Sequence, residues 1–216
     1  MIRIVIADDH TILREGLKQL LASAEGIEVV GEAVDGYQVL ERVRNDEFDL
    51  LLLDLSMPGK SGMELIKQVK SERPRLRILV LSMHGEQQYA VRAIRAGASG
   101  YLTKESAATQ LVAAIRKVAA GGAFISPEVA EQLALGAMPQ AKGPPHAALS
   151  DREYEVFQLL VAGRTVTDIA HQLNLSVKTV STHKARLLEK MGMTSEADLV
   201  RYAIAHHLTD DLDTGA

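Results

Sequence analysis

The sequence predicts a doubly wound parallel α/β domain followed by a smaller all-α domain of four helices. Two observations support this prediction. In roughly the first half of the chain, short runs of Ile, Val and Leu alternate with stretches of helical periodicity. Beyond a segment rich in Gly and Pro, apolar residues recur at helical spacing alone. Continuous apolar runs between helices are typical of parallel strands covered on both faces, so the first domain should contain a buried parallel sheet.

Five strand–helix units make up the first domain. The strands are predicted at residues 2–7, 28–33, 49–54, 78–82 and 100–103. The helices are predicted at residues 11–24, 36–46, 62–72, 86–96 and 106–120, and Gly121 and Gly122 end the last of them. Such a series predicts a flavodoxin-like sheet with the strand order 2-1-3-4-5.

The next segment, residues 123–147, is predicted to be a linker that contains one short helix. Ser126 suits a helix cap and Pro127 suits the first helical position, so this helix should run to about Leu135. Residues 136–147 contain two Gly, three Pro and no apolar periodicity. We therefore place the first domain at residues 1–122, the second at 148–210 and a C-terminal tail at 211–216.

The second domain is predicted to contain a helix-turn-helix. Ser150 with Glu153, and Thr165 with Asp168, have the spacing of capping boxes, and Ser176 suits the cap of the third helix. Two helices joined by a tight turn, the second of them basic, form the pattern of DNA-binding proteins. The four helices are predicted at residues 154–162, 169–173, 177–191 and 196–207.

The composition is that of an ordinary globular protein, with 47% hydrophobic and 24% charged residues. The chain has no cysteine, which excludes disulfides, thiolate metal sites and thiol nucleophiles and fits a reducing cytoplasm. No apolar stretch approaches the roughly 18–20 residues of a membrane helix. The chain starts on a strand-like run rather than a signal peptide. We therefore expect a cytoplasmic protein that does not enter the membrane.

Polar side chains stand at the ends of the predicted strands of the first domain. Because the carboxyl ends of parallel strands meet at one edge of a sheet, these side chains should converge. Three carboxylates at one point repel each other, and a hard cation such as Mg2+ would hold them together through oxygen ligands. With an added lysine and hydroxyl, the site suits a phosphoryl group on Asp54. The residues are Asp8, Asp9, Asp54, Ser82 and Lys104.

Motifs around these residues resemble the receiver domain of bacterial two-component response regulators. They are DDH at 8–10, LLLDLSMPG at 51–59, LSMHG at 81–85 and GYLTK at 100–104. Residues 149–192 are similar to the helix-turn-helix of the NarL/FixJ (LuxR-type) regulators. Together, and in the order that this family uses, the two matches cover nearly the whole chain. The resemblance implies a transcription factor rather than an enzyme, with at most intrinsic autophosphorylation and autodephosphorylation.

The resemblance also implies partners and site roles. A sensor histidine kinase would phosphorylate Asp54, and the phosphorylated chain would form a homodimer on double-stranded promoter DNA. Mg2+ would be bound by Asp9, by Asp54, by Asp8 through water and by the backbone carbonyl of Ser56. Ser82 and Lys104 would contact the phosphoryl oxygens while Tyr101 turns inward; alternatively, Tyr101 is simply packed against the fourth helix. Glu105 stands where many receivers have a proline after a cis bond, which leaves the geometry of that bond open.

The third helix of the second domain is the predicted DNA-reading helix. Residues 148–216 contain seven Lys or Arg against ten Asp or Glu, a net charge of −3, but residues 176–191 contain four against one, a local +3. Such a basic stripe should bind a phosphate backbone weakly, and as a dimer. One face is predicted to pack inward: Val177, Val180, Leu187, Leu188 and Met191. By the resemblance, bases should be faced by Lys178, Ser181, Thr182 and Ala185. Phosphate contacts are expected from Thr179, Lys184, Arg186 and Lys190.

Alternatives stay open for the chemistry of Asp54, for the state of the receiver and for the last helix. Asp54 is also the kind of nucleophile that haloacid-dehalogenase phosphatases use, although their second Asp is replaced by Ser56 here. The receiver could be inert on a constitutive DNA-binding protein, which the intact acidic set opposes. His10 and His84 are interpreted as exposed polar residues rather than metal ligands. The apolar residues of the last helix suit either a dimer contact or the core of the domain.

Overall fold

A computed structural model describes residues 1–57, 62–82, 87–135, 144–206 and 208. The chain divides into two compact units, Met1–Ala130 and Glu131–Ala216, and each is described by itself. Pro58, Gly59, His84 and the predicted tail lie outside the described residues, as do residues 136–143 of the predicted linker. Within the described part of the chain, no helix has both the length and the apolar character needed to span a membrane.

The first unit is the predicted parallel α/β sheet. Its strands are β1 Ile2–Ala7, β2 Ile27–Ala33, β3 Leu50–Asp54, β4 Arg77–Ser82 and β5 Gly100–Thr103. Its helices are α1 Thr11–Ala22, α2 Gly36–Asn45, α3 Gly62–Glu72, α4 Gln87–Ala96 and α5 Lys104–Ala119, and α6 Pro127–Leu135 follows. The strands are all parallel and lie in the order β2-β1-β3-β4-β5, which confirms the prediction.

The sheet is buried because its strands are apolar on both faces. Every residue of β3 is buried. Ile4, Leu52 and Leu79 pack in one cluster with Leu17 of α1 and Ile115 of α5. Full burial of one such side chain contributes about 1.5–3 kcal/mol, so this core holds the strand ends in place.

Strand register brings the polar strand ends to the same level. Ala7 is paired with Leu53, so the residues that follow them, Asp8 and Asp54, lie side by side. Asp54 is paired with Leu81 and Ser82 with Thr103, which places Ser82 and Lys104 one step further along the same edge. The predicted convergence of these side chains therefore follows from the pairing of the strands.

Part of the predicted linker belongs to the first unit. The backbone N–H of Tyr101 in β5 donates to the carbonyl of Phe124 at 2.8 Å, and the N–H of Phe124 donates to the carbonyl of Ser99 at 3.2 Å. Because β5 is an edge strand, its backbone groups need partners, and residue 124 supplies them. The predicted linker, residues 123–147, thus begins with a segment that covers the sheet edge.

The second unit contains the four predicted helices. They are α7 Asp151–Val161, α8 Val166–Gln172, α9 Val177–Met191 and α10 Glu196–Ala205. Complete capping boxes begin α7 (Ser150 with Glu153), α8 (Thr165 with Asp168) and α10 (Ser195 with Asp198). Asn174, in the turn between α8 and α9, has a φ of 52°, a left-handed conformation that asparagine tolerates well. The core is formed by residues such as Tyr154, Phe157, Ile169, Val180, Leu187 and Leu199.

A short 3-10 helix, Pro145–Ala148, precedes α7 where the sequence predicted only linker. His146 in this helix is buried, and its Nδ1 lies 2.7 Å from the Tyr202 hydroxyl of α10. This single anchoring residue has no periodicity around it, which is why the sequence pattern did not reveal the structured end of residues 136–147.

The predicted packing face of α9 is confirmed except at its start. Val180, Leu187 and Met191 are buried and Leu188 is half-buried. Val177 is 48% exposed, so its predicted burial was wrong. On a helical wheel Val177 lies about 60° from the centre of the buried stripe, and at the first position of the helix it has no preceding turn beside it.

Candidate functional site

Lys104 connects two buried carboxylates at the carboxyl edge of the sheet. Its Nζ lies 2.8 Å from Asp8 Oδ2 and 2.8 Å from Asp54 Oδ2. The side chains of all three residues are buried. Lys104 begins α5, two residues earlier than predicted, and Thr103 caps this helix through a hydrogen bond from the Ser106 N–H. The predicted convergence of these three side chains is therefore observed.

Burial and charge pairing shape the protonation of this cluster. Burial raises the pKa of the Asp54 carboxyl above its ordinary value, although the hydrogen bond from Lys104 acts against this rise. Burial alone would lower the pKa of Lys104, but hydrogen bonds to Asp54 and Asp8 raise it overall. The lysine is therefore kept cationic, as the counter-charge of two carboxylates.

The loop after β1 adds two more polar groups. Asp8 Oδ1 accepts a hydrogen bond from the His10 backbone N–H at 2.7 Å, and the His10 Nδ1 lies 3.0 Å from Asp9 Oδ1. Asp8, Asp9, His10 and Asp54 each offer one ligand atom, and these atoms lie within 4.8 Å of one another. Three carboxylates fit a hard divalent cation such as Mg2+. His10 is exposed, as expected, but its Nδ1 lies close to the carboxylates of Asp8 and Asp9.

The remaining predicted site residues lie in or next to β3, β4 and β5. The backbone N–H of Ser56 donates to Asp54 Oδ1 at 2.9 Å, and the metal contact expected of its carbonyl stays a prediction. Ser82 and Tyr101 are both buried. Burial of Tyr101 fits both an inward position and packing against α4, so its role in a switch stays a prediction as well. Among the described residues no peptide bond is cis, which includes the bond between Lys104 and Glu105.

A buried arginine beside the site was not singled out by the sequence pattern. Arg14 in α1 is only 8% exposed, and its Nη1 donates to the backbone carbonyl of Asp8 at 2.8 Å. Its Nε donates to Glu32 of β2 at 2.9 Å, and Glu32 also accepts from Lys18 at 2.7 Å. These hydrogen bonds lower the pKa of Glu32, with Lys18 as the larger cause and Arg14 as the next.

Helix α9 exposes six of the eight predicted DNA-contact residues: Lys178, Ser181, Thr182, Ala185, Arg186 and Lys190. The two lysines that were expected to contact DNA phosphates form ion pairs within the second unit instead. Lys184 forms an ion pair with Glu196, and Lys190 Nζ lies 2.6 Å from the buried Glu153. Exposed Lys190 can turn outward only by leaving that carboxylate. The Thr179 hydroxyl lies 2.7 Å from that of Ser176, the helix cap.

Comparison with known proteins gives two family matches. Residues 4–116 match the response regulator receiver domain, and residues 147–203 match the bacterial regulatory proteins of the luxR family. The response regulator GacA of Pseudomonas aeruginosa is 36% identical over 211 residues, which cover 97% of this chain and 99% of GacA. The response regulator UvrY of Escherichia coli K12 is 35% identical over 209 residues, which cover 96% of each chain.

Solved structures of RcsB are also similar to this chain. RcsB from Salmonella enterica serovar Typhimurium, bound to promoter rprA in the presence of the phosphomimetic BeF3−, is 31% identical with a TM-score of 0.69. That match covers 95% of this chain and 100% of the RcsB chain. The first family match contains the Lys104 cluster, and the second contains α9.

Proposed function

The chain belongs to the two-component response regulators that join a receiver domain to a LuxR-type helix-turn-helix, and from this premise we propose that it is a transcription factor switched by phosphorylation of Asp54. The observation that carries the proposal is the buried cluster of Lys104 with Asp8 and Asp54 at the carboxyl edge of the sheet. A sensor histidine kinase is the proposed phosphoryl donor.

In the proposed reaction, an oxygen of the Asp54 carboxylate attacks the phosphorus of the donor. As the new oxygen–phosphorus bond forms, the bond from phosphorus to the leaving group breaks, and the leaving group keeps the electron pair. The leaving group is a histidine nitrogen of the kinase or the acetate oxygen of acetyl phosphate. The product is an acyl phosphate on Asp54. Phosphoryl transfer depends mainly on positioning and on neutralised charge, so the buried ammonium of Lys104 supports it directly.

Mg2+ is the proposed cofactor because the donor set near Asp54 is rich in carboxylate oxygens. A bound Mg2+ would neutralise the charge that accumulates between the carboxylates and the phosphoryl oxygens. Asp8, Asp9, Asp54 and the carbonyl of Ser56 are the groups that would hold it. Ser82, at the end of the neighbouring strand, would contact the phosphoryl group.

Double-stranded promoter DNA is the proposed ligand of α9, and α10 is the proposed dimer contact. The exposed face of α9 offers Lys178 and Arg186 to phosphates or bases, and Ala185 to a thymine methyl. In α10, Leu199 and Ala203 are buried in the domain core, whereas Ile204 is 58% exposed. Helix α10 thus packs in the domain core, and its exposed Ile204 is the side chain that would contact a second copy of the chain.

The proposed function is tested by incubating the chain with acetyl phosphate and Mg2+. Intact mass should show the gain of one phosphoryl group that is retained, and the phosphorylated form should dimerise and bind promoter DNA more tightly. Continuous release of inorganic phosphate without retention would instead indicate a phosphatase. No reaction at all would indicate an inert receiver on a constitutive DNA-binding protein.

Arg186→Ala is expected to weaken binding to all DNA sequences alike. Because Arg186 is exposed on the face of α9 opposite to the core, its loss should remove about one phosphate contact and lower the salt slope by about 0.9. Titrations of labelled DNA at several salt concentrations measure this slope.

Lys190→Met is the informative comparison. Because Lys190 pairs with the buried Glu153, we expect the substitution to lower the thermal stability of the domain and to leave the salt slope of DNA binding nearly unchanged. A lowered slope with unaltered stability would assign Lys190 to a phosphate, as the sequence pattern predicted.

A further inference from the structure

We infer that Arg14 and Glu32 are positioning residues of the phosphoacceptor site, which act by fixing the backbone of Asp8. The inference rests on the proposed function and adds to it two residues outside the acidic cluster. It starts from the hydrogen bond between Arg14 Nη1 and the carbonyl of Asp8, 2.8 Å long and buried.

Asp8 is held at three separate atoms. Its carbonyl accepts from Arg14, its Oδ1 accepts from the His10 backbone N–H, and its Oδ2 contacts Lys104. The two side-chain contacts involve groups that a metal or a phosphoryl group would rearrange. The contact with Arg14 lies on the backbone, away from that chemistry, so it can persist while the carboxylates exchange partners.

Arg14 is itself fixed by the sheet through Glu32. Glu32 is paired with Ile6 in the strand register, two residues before Asp8, and it therefore belongs to the rigid frame of the same strand ends. A buried guanidinium needs a charged partner, and Glu32 supplies it at 2.9 Å. The result is a continuous connection from β2 through Arg14 to the loop that carries Asp8 and Asp9.

This connection determines where the carboxylates of the loop stand. Asp9 and His10 follow Asp8 directly. The far end of this loop is fixed by the first turn of α1, in which the backbone N–H of Arg14 donates to the His10 carbonyl, and the Arg14 side chain fixes the Asp8 end. Partners of this kind, which orient the ligands without touching the metal, typically change metal affinity by about 10–100-fold when they are removed. Lys18 also contacts Glu32 but has no contact with Asp8, which makes it a matched control.

The test measures Mg2+ binding to the unphosphorylated full chain by isothermal titration calorimetry, below the thermal midpoint of every variant. Arg14→Met should raise the dissociation constant for Mg2+ about tenfold. Glu32→Gln keeps an acceptor for Arg14 and should have a smaller effect in the same direction. Lys18→Met should leave the constant unchanged. Phosphorylation by acetyl phosphate should slow in the same order.

Leu17→Ala distinguishes a positioning role of Arg14 from a purely structural one, because it removes a buried side chain of the same helix. It should lower the thermal midpoint and leave Mg2+ affinity at the wild-type value. If Leu17→Ala weakens Mg2+ binding as much as Arg14→Met, or if Arg14→Met binds Mg2+ like the wild type, the inference is overturned. Failure of the wild-type chain itself to bind Mg2+ would instead overturn the proposed function, and this inference with it.

Discussion

Asp54→Asn is expected to abolish phosphorylation by acetyl phosphate while leaving the fold intact. The amide has the shape of the carboxylate but is not a nucleophile, so no acyl phosphate can form. The amide oxygen of this variant can still accept a hydrogen bond from Lys104 or from the Ser56 N–H. Loss of the charge-assisted bond should cost about 1.5–3 kcal/mol, less than the stability of a typical domain. Intact mass spectrometry after incubation with Mg2+ measures the result.

Asp46→Asn is the matched control for this change. Asp46 lies on the surface of the same unit in an ion pair with Arg42, and its loss should leave the yield of phosphoprotein unchanged. An equal yield of phosphoprotein from Asp54→Asn and from the wild type would remove Asp54 from the assignment.

Lys104→Met is expected to have the second large effect, on stability as well as on chemistry. It leaves the buried carboxylates of Asp8 and Asp54 side by side without their cation, which should destabilise the metal-free chain by about 3 kcal/mol. It also removes the ammonium group from the phosphoryl oxygens and should slow phosphorylation about 100-fold. Thermal unfolding with and without Mg2+, together with a time course of phosphorylation, tests both effects.

Mg2+ should raise the thermal midpoint of Lys104→Met by more than that of the wild type. The reason is that the metal would supply the positive charge that the variant lacks. Lys18→Met, which removes a lysine from the half-exposed ion pairs with Glu15 and Glu32, should show the wild-type response to Mg2+. If Mg2+ raised the thermal midpoint of Lys104→Met only as much as that of the wild type, Lys104 would not balance the charge of the acidic cluster.

The sheet and the central cluster could be predicted because each depends on a repeated signal. Apolar runs locate the strands, and once parallel strands pair in order, Asp8, Asp54 and Lys104 must meet at one edge. The starts of α7, α8 and α9 were predictable from the caps Ser150, Thr165 and Ser176, since such a cap is a contact between residues three positions apart, whereas the Ser195 cap of α10 was not predicted.

The parts that the sequence did not predict depend on single long-range contacts. Arg14 lies on an amphipathic helix whose pattern does not show that its guanidinium is buried against β2 and the Asp8 carbonyl. His146 stands alone in a segment rich in Pro and is buried through Tyr202, more than fifty positions away. Val177 has the spacing of a buried residue, but periodicity does not show where along a helix the neighbouring helices end.

The three capping boxes of the second unit have a consequence for the order in which the chain folds. They form between residues three positions apart, whereas the pairing of β1 with β3 joins Ile4 to Leu50. Because the entropy of closing a long loop must be overcome before distant strands stabilise each other, we expect α7–α10 to form first although they are synthesised last. Pulse-labelled hydrogen exchange during refolding of the full chain should show the amides of α7 and α9 protected before those of β3 and β4, and simultaneous protection would contradict this. The helix proposed to bind DNA would then be formed before the domain proposed to regulate it.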